Sequence, residues 1–232
     1  MDIKDKVTIV TGASYGIGNA TSRLLAARGA KLVLAARSVD ALKQLEKELP
    51  DSIAVPTDMR KPDDIKHMIE AAMQKYGRID ILINNAGRGM YGPVEYSQLD
   101  DFQEIIELNV YGPLLAMQAV IPIMRAQGGG MIVNVSSLVS KNYFPHLGIY
   151  ASTKYALNAI SLTARQELAK DNIVISVMHP KMTDTDFGKN AIGARPDSAS
   201  RPRATPIQID TAEQVAEKLV ELIVSEEPEA MM

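Results

Sequence analysis

Six short runs rich in β-branched residues return along the chain, each followed by a longer stretch whose apolar positions recur with helical spacing. The runs are KVTIVT (6–11), KLVLAA (31–36), SIAVPT (52–57), IDILIN (79–84), GMIVNVS (130–136) and NIVISVMHP (172–180). Helical segments are expected to begin near Gly16, Val39, Pro62, Leu99 and Gly148, and a last one, TAEQVAEKLVELIV, has Thr211 placed as its N-cap. Strands that are almost continuously apolar are buried on both faces, and helices between them make the connections parallel. This alternation constrains the chain to an α/β fold, a doubly wound parallel sheet of Rossmann type with helices on both faces. With 232 residues, 46% of them hydrophobic, one core is expected, and residues 1–232 are read as a single domain.

Composition removes several classes of function. The formal charge is −3 without a block of one sign, which argues against a nucleic-acid or anionic-membrane surface. There is no cysteine, so disulfides and thiolate metal sites are impossible, and His67, His146 and His179 lie too far apart to suggest a metal-ligand spacing. The opening MDIKDKVTIV has no signal-peptide pattern, and LLAMQAVIPIM (114–124) reads as too short to cross a bilayer. A soluble cytoplasmic protein is the expectation.

Two segments stand out from the alternation. NVYGP (109–113) interrupts a long helical pattern, and Gly112 with Pro113 predicts a kink near Asn109. Residues 186–208, rich in Ala, Ser, Pro and Arg, read as a mobile loop, either a lid over a ligand or a disordered surface loop.

The first strand feeds the first helix through VTGASYGIG (10–18). Glycines at such a junction let the backbone approach a ligand and leave unpaired helix N–H groups facing it, which suits a pyrophosphate. A ligand-free turn needing positive φ is the other reading. The spacing of Gly12, Gly16 and Gly18 is T-G-x-x-x-G-x-G, and it is accompanied by NNAG at 84–87, Asn109, Ser137 and YASTK at 150–154. In order and approximate spacing, from Lys6 to about Thr185, the chain resembles the short-chain dehydrogenase/reductase family. Independently of that resemblance, Gly12, Asn84, Ser136–Ser137 and Pro180 all fall at the carboxyl ends of expected strands, the sheet edge where ligands bind in doubly wound folds.

The resemblance implies a nicotinamide dinucleotide held by Gly12, Ser14, Tyr15, Gly16, Ile17 and Gly18, by Asp58 and the Met59 backbone at the adenine, and by Asn85, Ala86 and Gly87 beside the ribose. It also implies contacts from Tyr150, Lys154, Pro180, Thr183 and Thr185 at the nicotinamide end. After the second strand the chain carries Arg37 and Ser38 instead of a carboxylate. Arginine can form charge-assisted bonds to a 2′-phosphate that an acid would repel, so NADP(H) is expected over NAD(H), although Tyr15 supplies no second charge. Relatives commonly have glycine where this chain has Lys181, which is expected to shift that loop or to place a charge at the pocket mouth.

Tyr150 and Lys154 are spaced to share a helix face. A unit charge about 4 Å from a phenol at an effective dielectric near 20 is worth roughly 4 kcal/mol, about a thousandfold in acidity. Lys154 is therefore expected to lower the Tyr150 pKa, helped by oxidised nicotinamide. By the resemblance, Tyr150 is the acid and base, Lys154 holds the nicotinamide ribose, Ser137 donates to the substrate oxygen, and Asn109 holds a water leading to Lys154. Ser136 is the less suitable hydroxyl, and His179 reads as structural. Met90, Tyr91, Leu138, Phe144, Met182 and Phe187, with Ser137 and Tyr150, would line a mostly apolar substrate pocket.

The reading is an NADP(H)-dependent oxidoreductase acting on a hydrophobic ketone or secondary alcohol. A redox-sensing binding protein and an epimerase or dehydratase on the same scaffold are the alternatives. Family members assemble as dimers or tetramers, often ending in a glycine-containing strand; ELIVSEEPEAMM is not expected to form one, which favours a homodimer over a homotetramer.

Overall fold

The computed structural model describes residues 1–193 and 209–232. Seven strands form one parallel sheet in the order β3-β2-β1-β4-β5-β6-β7. They are β1 (Val7–Thr11), β2 (Lys31–Ala36), β3 (Ser52–Pro56), β4 (Ile81–Asn84), β5 (Gly130–Val135), β6 (Ile173–His179) and β7 (Glu229–Met231). The helices are α1 (Gly16–Ala27), α2 (Val39–Glu48), α3 (Pro62–Tyr76), α4 (Leu99–Ile106), α5 (Gly112–Ala126), α6 (Gly148–Leu168) and α7 (Ala212–Ser225).

Alternate residues of the central strands feed two cores, as the pleat requires. Val10, Leu34, Ile83 and Val133 pack with Leu25 of α1, Leu42 and Leu45 of α2 and Leu219 of α7. Their neighbours Ile9, Val33, Leu82 and Ile132 pack with Met68 of α3, Val120 of α5 and Leu168 of α6. The order of the strands reverses direction between β1 and β4, and the Thr11 hydroxyl holds that crevice. It accepts from the Asn85 and Ala86 N–H groups, each at 3.0 Å, and donates to the Ile83 carbonyl at 3.3 Å.

The seventh strand corrects the expected chain ending. Glu-Ala-Met carries no strand signal of its own, but it pairs with β6 in the register Val177–Glu229, Met178–Ala230 and His179–Met231. The ending therefore gives no ground for preferring a dimer to a tetramer.

The helical region Leu99–Ala126 is continuous over 28 residues, long and apolar enough by length and composition to cross a membrane, contrary to the shorter span read from the sequence. Its buried residues Ala116, Met117, Val120 and Met124 instead pack into the layer over the sheet. Between α4 and α5, residues Glu107–Tyr111 widen into a π-helical turn closed by the Gly112 N–H on the Glu107 carbonyl. Gly112 must lie close to the β3–α3 connection, since a Cβ there would sit 2.5 Å from the Met59 carbonyl oxygen. The anticipated irregularity at Asn109 is thus a π-bulge.

Candidate active site

The glycine turn takes the shape its sequence demands. Gly12 and Gly16 have φ of 67° and 54°, and a Cβ on Gly18 would lie 2.2 Å from the Gly12 carbonyl oxygen, so α1 can press against β1 only with glycine there. Tyr15 is the N-cap of α1 and its side chain makes no capping bond. No side chain of the cap therefore competes for the first-turn N–H groups, and Ser14, Gly16 and Ile17 are only partly covered. This is a cradle for an anionic group. Asn85 steadies it by donating from Nδ2 to the Thr11 carbonyl at 2.9 Å.

Arg37 and Ser38 follow β2 beside this turn. Arg37 is exposed and belongs to no ion pair among the described residues, while the Tyr15 and Ser38 hydroxyls lie 3.4 Å apart. Asp58, after β3, is buried and clasped by Arg60 at 2.7 Å, which holds its carboxyl below the usual carboxylate range. Asp58 does not cap α3; Lys61 is the N-cap, and Asp64 instead accepts the Asp58 N–H at 2.9 Å. Met59 is buried next to it.

The 3₁₀ turn Leu138–Ser140 after β5 and the first turns of α6 bring the hydroxyl, phenol and amine together. The Ser137 Oγ accepts from the Val139 N–H at 3.3 Å, and the same hydroxyl is hydrogen-bonded to the Tyr150 phenol. Ser136 is buried and engaged with the Ser140 hydroxyl at 3.2 Å. Tyr150 is 7% exposed and Lys154 4% exposed, so both are withdrawn from water before any ligand arrives.

That burial works against the expected acidification of the phenol. Desolvation pushes the Tyr150 phenol up, opposed by the Ser137 side chain, with no offsetting effect from Lys154. The Lys154 ammonium lies 6.0 Å from the ring centroid and donates to the Val135 carbonyl at 2.9 Å. Desolvation lowers its own pKa to about 8. The ammonium is aimed at the end of β5 and not at the phenol, and desolvation is the largest effect on both groups.

Asn109 braces the main chain that follows the NNAG turn. Its Oδ1 accepts from the Arg88 N–H at 3.0 Å, and its Nδ2 donates to the Arg88 carbonyl at 2.9 Å and to the Thr153 hydroxyl at 3.1 Å. Both Nδ2 donors and one of the two acceptor positions of Oδ1 are thus occupied. Pro113, which follows the bulge, has no N–H to give to any carbonyl of that turn. Gly87 lies between these groups, where a Cβ would come within 3.2 Å of Asn109 Oδ1 and 3.5 Å of Lys154 Nζ.

Pro180, buried, starts the segment after β6. Lys181 neither distorts this loop into positive φ nor leaves a free charge at the mouth; its ammonium pairs with the buried Asp210 at 3.1 Å. Thr183 forms a β-bridge to Asp210, and Asp210 donates its N–H to the Met182 carbonyl at 3.1 Å. Thr185 reaches the glycine turn, so that a Cβ on Gly16 would meet its methyl group at 3.0 Å. Phe187 packs on Tyr150 with ring centroids 5.9 Å apart. Met90 is buried with Tyr150 in a small cluster that Leu147 and Val139 border. Phe144 is 47% exposed, and Leu138 and Met182 are half-buried.

Residues 186–193 of the anticipated mobile loop are tied down, with Tyr91 donating to the Ile192 carbonyl at 2.8 Å and Ile192 to the Gly89 carbonyl at 2.9 Å. Residues 194–208 lie outside the described residues. His179 is structural, as read: it is fully buried, with Nε2 2.8 Å from Glu229 and Nδ1 3.4 Å from the Ser137 carbonyl. Thr11 and Thr153 were overlooked as site residues; Thr11 opens the T-G pattern and could have been found there, whereas the Thr153 contact with Asn109 has no local signal.

A dinucleotide fits these residues. The cradle of positive-φ glycines, the α1 terminus without a side-chain cap and the exposed Arg37 stand along one sheet edge with Tyr150 and Lys154, whose ammonium has one hydrogen-bond acceptor among the described residues. Residues 6–195 match the short chain dehydrogenase family, and the chain belongs to it. Among its relatives is an uncharacterized oxidoreductase of Staphylococcus saprophyticus, 40% identical over 190 residues, covering 80% of this chain and 77% of that one. An alcohol dehydrogenase from Thermococcus sibiricus complexed with 5-hydroxy-NADP superposes with a TM-score of 0.86 at 28% identity, covering 99% of this chain and 96% of the other. A 7α-hydroxysteroid dehydrogenase complexed with NADH and 7-oxo glycochenodeoxycholic acid gives 0.90 at 27% identity, covering 100% and 94%.

Proposed function

We propose that this oxidoreductase uses NADP(H) to reduce a hydrophobic ketone to a secondary alcohol, with Tyr150 as the proton donor. The observation that carries the reading is the buried Tyr150 phenol lying with the Ser137 hydroxyl and the Lys154 ammonium at the ligand-binding edge of the sheet. The nicotinamide, when bound, supplies the hydride. Ser137, whose oxygen already accepts from the Val139 N–H, donates to the substrate oxygen and stabilises the charge that grows on it. Tyr150 passes its proton to that oxygen; a phenol pushed up by burial is held in the protonated form that this step needs. Lys154 holds the nicotinamide ribose with the donors that Val135 leaves free, and a water at Asn109 resupplies protons.

NADP(H) is favoured over NAD(H) because the exposed Arg37 forms no ion pair among the described residues, and Asp58, the carboxylate that feels its charge, is already clasped by Arg60. The apolar Met90 and Phe187 against Tyr150 support a hydrophobic substrate, and the 7-oxo glycochenodeoxycholic acid of the hydroxysteroid dehydrogenase neighbour is consistent with one.

Consumption of NADPH against a panel of ketones tests the reaction, and Arg37→Asp tests the cofactor choice. Loss of one charge-assisted contact predicts NADPH affinity weakened at least about tenfold with NADH affinity held within about threefold. Equal loss for both cofactors would remove Arg37 from the phosphate site.

A further inference from the structure

Arg88 follows the NNAG turn, and the proposed chemistry leaves it without a task. Its main chain is gripped on both sides by the Asn109 amide. Its guanidinium reaches in two directions: NH1 donates to Glu104 at 2.9 Å, and Nε donates to the main-chain carbonyl of Asn190 at 2.5 Å. Glu104 in turn takes Arg60 at 3.2 Å, and Arg60 clasps Asp58. One side chain thus joins the π-bulge, the ion-pair chain leading to Asp58, and the segment 186–193.

That segment carries Phe187, the ring packed on Tyr150. The same ring edge lies where a Cβ on Gly89 would come within 3.0 Å, so the backbone next to Arg88 is shaped to receive it. The paired main chains of Gly89–Tyr91 and Ile192 hold one end of the segment, and Arg88 holds it at Asn190, between that pairing and Phe187.

We propose that Arg88 is a positioning residue that fixes segment 186–193, and through it Phe187, over Tyr150, and so sets how tightly the carbonyl substrate is held. The inference rests on the reading of Tyr150 as proton donor. Arginine suits the task because a planar fork donates along two directions at once, whereas a lysine ammonium would keep the charge near Glu104 and give up the carbonyl. The ion pair with Glu104 is one-third exposed on both sides and contributes little by itself. The bond to the Asn190 carbonyl is the one that matters for the segment.

The test uses the full chain with NADPH and measures ketone KM, kcat, NADPH affinity and amide hydrogen exchange across 186–193. Arg88→Ala is expected to raise KM about tenfold, leave NADPH affinity within about twofold and speed exchange in 186–193; Arg88→Lys should fall between it and the wild type. Phe187→Ala should raise KM similarly, and the double variant should add little further, because both act through one contact. Unchanged exchange at 186–193, additive effects in the double variant, or a thermal loss with KM unaltered would each overturn the proposal. A wild-type protein that reduces no ketone would overturn the reading of Tyr150 instead, and the exchange measurement would still decide whether Arg88 holds the segment.

Discussion

At the residue scale, burial governs the chemistry of Tyr150 and Lys154 before any ligand does. Lys154 has its pKa lowered from 10.5 to about 8, so the charged form is disfavoured in the folded state. The sign follows from linkage: between about pH 8 and 10.5 the unfolded chain still holds the proton that the folded chain has released, and stability rises with pH across that window. Lys154→Met lacks this group, so its stability relative to the wild type should be greatest below pH 8 and should fall by up to about 3 kcal/mol as pH rises to 10.5. Denaturant unfolding of the cofactor-free proteins at several pH values checks this; a difference independent of pH would mean that Lys154 is not desolvated. The types and order of these residues were legible in the sequence, but the direction of the Lys154 side chain was not. Helical spacing places two residues on one face and says nothing about a carbonyl at the end of β5 that competes for the ammonium.

At the scale of elements, six strands and the starts of six helices could be read because each carries its own signal: β-branched runs, Pro62 at the head of α3, and Thr211, whose capping box with Gln214 is present. The seventh strand was invisible because Glu229–Met231 exists only through its pairing with β6. The π-bulge was half visible: Gly112 and Pro113 announced an irregularity, but its occupation of the Asn109 amide depends on Arg88 and Thr153, distant in sequence. Gly112→Ala tests how tightly this element is seated. Its Cβ would press on the Met59 main chain, an overpacking expected to cost about 1–3 kcal/mol and to weaken cofactor binding through Asp58 beside it. Unfolding and NADPH titration of the variant check both effects, and wild-type stability would show that α5 tolerates the displacement.

At the scale of the whole molecule, the sheet's carboxyl edge gathers groups from β1, β2, β3, β4, β5 and β6 into one groove, so a bound cofactor ties both halves of the sheet together. A ligand that binds only the folded state at about a hundredfold over its Kd adds about 2.7 kcal/mol, which for a chain of this size raises Tm by roughly 5–10 °C. The central claim concerns what Tyr150 does in that groove, and one comparison reaches it: wild type and Tyr150→Phe, assayed for ketone-dependent NADPH oxidation with cofactor affinity titrated in parallel. Tyr150→Phe is expected to lose at least about a thousandfold in turnover while its NADPH affinity stays within about threefold. A Tyr150→Phe protein that still turns over at near wild-type rate would contradict the claim.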